Sequence, residues 1–63
     1  MRQWLIERRK EMGLTQMQVA ERAGIARPYY TRIERGQHKP PVTTAMKIAE
    51  ALEFNWTEFY KAS

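Results

Sequence analysis

The 63 residues contain no cysteine and one histidine, His38. That leaves room for one small core and excludes both a disulfide framework and a zinc site. Eleven Lys and Arg oppose seven acids, a net charge of +4, which suits either a polyanionic partner or a solvated basic face. No apolar run approaches the roughly 20 residues that cross a bilayer, and no signal-peptide layout opens the chain. The expectation is a soluble cytoplasmic protein with no membrane partner and no cofactor.

Apolar spacing at i, i+3, i+4 and i+7 recurs along the chain and strand-type alternation does not, so the fold class is all-α with five short helices. Helix 1 spans about Arg2 to Met12 and stops at Gly13, suited to a left-handed cap. Arg9 lies between Leu5 and Met12 on the stripe of this helix that points inward, where a guanidinium needs an acidic partner.

Helix 2 starts at Thr15, with Gln18 placed to close a capping box. It buries Val19, Ala20 and Ala23 and ends at Gly24. Helix 3 spans about Arg27 to Arg35, carries Pro28 in its first turn where no amide proton is needed, and stops at Gly36. Only Gly24, Ile25 and Ala26 separate helices 2 and 3. A turn that tight needs a residue tolerant of positive φ, and the steep crossing it imposes needs a small contact residue such as Ala20. Together these features describe a helix-turn-helix over residues 16–35.

Gln37 to Pro41 form a loop. Helix 4 spans about Val42 to Leu52 and buries Ala45, Ile48, Ala49 and Leu52. Helix 5 takes Asn55 as cap and Glu58 as its box partner, and brings in Trp56, Phe59 and Tyr60. The charge is unevenly spread over this plan. From Arg22 to Lys47 six basic residues face one acid, Glu34, whereas from Ile48 onward Lys61 faces Glu50, Glu53 and Glu58.

The run LTQMQVAERAGIARPYYTRIERG, Leu14 to Gly36, resembles the Cro/repressor-type family, also called lambda-repressor-like or Xre-like. The Arg-rich first helix, the loop with Pro40, TAMKIAEAL and NWTEFY extend the likeness to nearly the whole chain. The resemblance implies a single compact five-helix DNA-binding domain over residues 1–63. Its third helix would enter the major groove, as part of a homodimer on a palindromic operator, in a prokaryotic or phage transcriptional regulator, most often a repressor. Matched by position, the family's base-reading residues fall on Arg27, Pro28, Tyr29 and Arg32, and its phosphate contacts on Gln16 and the loop after helix 3. It also suggests Glu34 as the partner of Arg9. Ala26, Pro41 and Glu53 depart from the family's pattern of caps before helices 3 and 4 and a glycine after helix 4.

The residues themselves divide helix 3 in the same sense. Tyr30, Ile33 and Glu34 share one stripe, while Pro28, Thr31, Arg32 and Arg35 lie opposite, with Arg27 and Tyr29 at the edges. Arg forms bidentate bonds to guanine O6 and N7, and Thr31 and Tyr29 can meet thymine methyl groups or phosphate. Gln16 in the first turn of helix 2, and Arg35, Gln37, His38 and Lys39 beyond helix 3, are placed to grip phosphates. Aromatic groups near the C-terminus (Trp56, Phe59, Tyr60) are candidates for the dimer contact. The alternative is a protein-binding adaptor or antitoxin of the same fold. An enzyme is excluded by the single His, the absent Cys, the lack of a glycine-rich phosphate loop and the lack of an inward carboxylate pair.

Overall fold

The computed structural model describes residues 1–61. Four α-helices follow one another, α1 (Gln3–Glu11), α2 (Gln16–Ala23), α3 (Arg27–Glu34) and α4 (Val42–Leu52), and a 3-10 helix, Trp56–Tyr60, closes the chain. No strand occurs among the described residues.

The helix boundaries follow local chemistry. Thr15 Oγ1 accepts from the Gln18 amide at 3.1 Å and Gln18 Oε1 accepts from the Thr15 amide at 2.9 Å, so the capping box is complete. Gly24 ends α2 in the left-handed region, φ +70°, and lets Ile25 return its amide to the Ala20 carbonyl. Ala26 and Pro41 begin α3 and α4 with no side-chain cap. After α4 the chain turns left-handed at Glu53, φ +58°, a conformation that costs an L-residue roughly 1–2 kcal/mol. Arg8 offsets part of that cost: its Nε donates to the Leu52 carbonyl at 2.8 Å and its Nη2 to the Glu53 carbonyl at 3.0 Å. The last acceptors of α4 are thus satisfied by a cation, the sign that the helix C-terminus favours.

The closing element corrects the expected fifth α-helix. Asn55 Oδ1 accepts from both the amide and the hydroxyl of Thr57, two residues on, which tightens the turn. Glu58 turns instead to Lys61, at 2.6 Å, so the Asn55–Glu58 box does not form. With five residues and no box, the segment winds as a 3-10 helix.

Leu5, Val19, Ala20, Ala23, Tyr30, Ile33, Ala45, Ile48, Leu52 and Phe59 form the core. Ala20 is 1 % exposed, and a larger side chain there would separate α2 from its neighbours. Trp4 stands edge-on to Phe54 and Phe59 at 5.3 and 5.2 Å. These aromatic contacts fasten the closing helix to α1.

Candidate nucleic-acid interface

The inward face of α3 fixes what its outward face presents. Tyr30, Ile33 and Glu34 are buried, so Arg27, Pro28, Arg32 and Arg35 are turned out and exposed, with Thr31 and Tyr29 half-buried at the margins. Gln37, His38 and Lys39 continue this exposed strip beyond Gly36. The helix therefore joins a basic face directly to a basic loop.

Glu34 anchors the helix from below. Arg9 Nε donates to its Oε2 at 2.6 Å and Gln16 Nε2 to its Oε1 at 2.9 Å. Arg9 also donates to the Leu14 carbonyl at 3.0 Å, tying the end of α1 to the approach to α2. Burial alone would raise the Glu34 carboxyl's pKa, but Arg9, with Tyr30 and Gln16 beside it, reverses this and holds it below its ordinary value. The same hydrogen bond to Glu34 raises the Arg9 guanidinium. Burial, reinforced by the Glu34 carboxylate, pushes the Tyr30 phenol far up.

Gln16 is more committed than its place in the first turn of α2 implies. Its carbonyl oxygen accepts from the Thr31 hydroxyl at 2.8 Å while its amide nitrogen serves Glu34. An amide carries two N–H donors, so one stays available to a phosphate. Thr31 accepts a long contact from Arg27 Nη1, 3.4 Å. Its hydroxyl is thus engaged within the protein, and its methyl group is what remains for a base.

The loop is held in shape by aromatic contacts. The Tyr29 and His38 rings meet edge to face at 5.0 Å. Lys39 Nζ lies 5.2 Å from the Tyr60 ring centroid, and the Tyr60 hydroxyl donates to the Pro40 carbonyl at 2.6 Å. Arg2, read from the sequence only as the start of helix 1, donates to the carbonyls of Ile33 and His38 at 2.6 and 2.9 Å. Bonds that span 31 and 36 residues leave no mark in local periodicity.

The described residues include no group of His, Cys, Asp or Glu able to hold a metal, and no helix of the structure is long and apolar enough to cross a membrane. An uncapped-but-preset α3, a glycine turn and an outward basic strip define a helix-turn-helix module. Comparison with known proteins agrees: a helix-turn-helix family model matches residues 5–59, and the chain belongs to that family, in its Xre, lambda-repressor-like form. The chain is 51 % identical over 61 residues to the uncharacterized HTH-type transcriptional regulator YqaF of Bacillus subtilis, covering 97 % of this chain and 80 % of that protein. It is 44 % identical over 52 residues to an uncharacterized HTH-type transcriptional regulator of Methanothermobacter thermautotrophicus, covering 82 % and 75 %. The immunity repressor protein of Bacillus phage phi105 is 46 % identical over 44 residues, 70 % of this chain and 31 % of that one. No solved structure matches the chain significantly. The family is one of DNA-binding, non-enzymatic transcriptional regulators.

Proposed function

We propose that this protein is a sequence-specific regulator, acting in the cytoplasm as a repressor, that lays α3 in the major groove of duplex DNA as one half of a dimer on a palindromic operator. The observation that carries the reading is the division of α3, buried on Tyr30, Ile33 and Glu34 and exposed on Arg27, Pro28, Arg32 and Arg35. An exposed surface with arginines in the first turn of α3, in its last turn and at its C-cap matches a groove lined with guanine acceptors. Repression is supported by the likeness to a phage immunity repressor.

In this reading Arg27, Pro28, Tyr29, Thr31 and Arg32 meet base edges, Arg32 as an exposed side chain in the last turn of α3. Gln16, Arg35, Gln37, His38 and Lys39 meet phosphates. Arg9 and Glu34 hold the platform and touch no DNA.

Reading and gripping separate experimentally. A preferred site is first selected from a random duplex library, then titrated beside random DNA at several salt concentrations. Arg32→Ala is expected to cost about 1–3 kcal/mol on the preferred site and to relax one base pair, with little further loss on random DNA. Lys39→Ala is expected to weaken both duplexes alike and to lower the slope of log K against log salt by about one unit. Equal losses from Arg32→Ala on both duplexes would remove α3 as the reading element. If neither substitution matters, the basic face is no DNA surface and a protein partner becomes the better reading.

A further inference from the structure

Arg2 lies outside the helix-turn-helix and outside every contact assigned above to DNA, yet it bonds both the C-terminal end of α3 and the loop that follows it. Its backbone amide donates to the Glu34 carbonyl at 2.7 Å. Its guanidinium Nη1 donates to the Ile33 carbonyl at 2.6 Å and to the His38 carbonyl at 2.9 Å. The guanidinium carbon stands 5.6 Å from the Phe59 ring centroid. We propose that Arg2 is a positioning residue for DNA binding, a clamp that fixes the phosphate-gripping loop relative to the reading helix. This rests on the DNA-binding reading of α3.

The chemistry of a helix end explains why a cation is needed there. Ile33 and Glu34 present two of the last carbonyls of α3, which have no amide partner within the helix. The Glu34 carbonyl is met by the Arg2 amide. The Ile33 carbonyl, which takes the Gly36 amide at 3.1 Å, takes the guanidinium Nη1 as a second donor. The cation also opposes the negative end of the helix dipole. The same nitrogen then reaches the His38 carbonyl, across the left-handed turn at Gly36, φ +77°. One side chain thus spans the end of the reading helix and the middle of the loop.

The clamp has a second anchor in the loop. Tyr60 donates to the Pro40 carbonyl two residues beyond His38. The loop is therefore fastened by Arg2 from the N-terminal end of the chain and by Tyr60 from the closing helix. With the carbonyls of His38 and Pro40 held, the rings and charges of the loop take up fixed places. The His38 ring meets Tyr29, and Lys39 stands over Tyr60. Phosphates along a duplex have fixed spacing, so donors in a loop help only when their distance from α3 is fixed as well. Both bonds leave the terminal Nη1, which stands one bond farther from the backbone than a lysine ammonium, so Lys falls short of holding the two carbonyls together.

Two readouts test the clamp. His38 is the single histidine, so its ring signals in a proton NMR spectrum are assigned without ambiguity, and they report the Tyr29 contact without DNA. Arg2→Met keeps an apolar stem over Phe59 and removes the donors, and Arg2→Lys keeps the charge. Both variants are first checked for folding by circular dichroism. In each, the His38 ring signals are expected to move toward those of an unstructured peptide. Affinity for random duplex is expected to fall several-fold, with the salt slope reduced by about one unit for each phosphate the loop no longer grips. Unchanged His38 signals in folded Arg2→Met would overturn the clamp. Full recovery of affinity and slope by Arg2→Lys would also overturn it, making Arg2 a direct phosphate ligand. Should Arg2→Met fail to fold, Arg2→Lys decides by the same two readouts. If the wild-type protein binds no duplex, the DNA reading fails, and with it the role in DNA binding, while the His38 signals still decide whether Arg2 holds the loop.

Discussion

Glu34 is 1 % exposed, and a charge that deep is tolerated only because each of its oxygens has a donor: Arg9 on both, joined by Gln16 on Oε1. Removing one member strands the other, a loss of about 3–5 kcal/mol, and a domain this small has little more than that in total. Glu34→Ala is therefore expected to unfold much of the population at 25 °C, measured by urea denaturation, whereas replacing Arg9 and Glu34 together by apolar residues should cost less. Acid acts on the same pair. The folded Glu34 carboxyl titrates below its ordinary value of 4.5, so as pH falls the unfolded chain takes up the proton first. The stabilisation is complete above about pH 4.5 and is lost as pH falls through the folded value. A urea midpoint that stays flat from neutral pH down to 3 would show that the pair contributes nothing. The inward direction of Arg9 was legible because it shares a stripe with Leu5 and Met12. The bonds of Gln16 to Thr31 and Glu34 were not, because a residue at the first turn of a helix reads as a capping or phosphate position whatever lies across from it.

Elements with a conformational signature were legible, and those decided by competition among side chains were not. Thr15 with Gln18, and glycines at 13, 24 and 36, set the ends of α1, α2 and α3 within a residue or so of expectation. Asn55 and Glu58 have the spacing of a capping box as well, but Thr57 and Lys61 offer nearer partners, and the box loses to both. Two of the three departures from the family pattern are weak points that substitution should repair. Ala26 has the extended backbone of an N-cap, φ −73° and ψ 142°, without a side-chain acceptor. Ala26→Ser is expected to add about 1 kcal/mol. Glu53→Gly should relieve the left-handed strain, also by about 1 kcal/mol, since the carbonyl that Arg8 bonds is kept. The two sites lie at the ends of different helices, so their thermal shifts should add in the double variant. A lower melting temperature for Glu53→Gly would show that its side chain does something the backbone argument leaves out.

At the scale of the whole molecule, dimensions bear on the proposed dimer. The Cα atoms span 27 × 21 × 19 Å, whereas half-sites one turn of DNA apart set two reading helices about 34 Å from each other. Two such bodies so placed would meet along a margin rather than across a broad face. A contact smaller than the roughly 1,200 Å² of a stable interface would leave the free protein monomeric. The surface available is also smaller than the sequence suggested, since Phe59 is 6 % exposed and belongs to the core, and Trp56 and Tyr60 are half-buried. Val42 and Met46 are exposed apolar groups one turn apart on α4, at 46 % and 48 %. The expected behaviour is a monomer in free solution at micromolar concentration and a cooperative pair on DNA, where the duplex supplies the effective concentration that the contact lacks. Sedimentation without DNA, followed by footprinting on the selected site, measures both halves. A two-fold symmetric footprint that fills in one cooperative step is the expected result. One short, non-palindromic footprint, saturating with a single protein per duplex, would leave the protein a monomeric reader and remove the need for a partner copy.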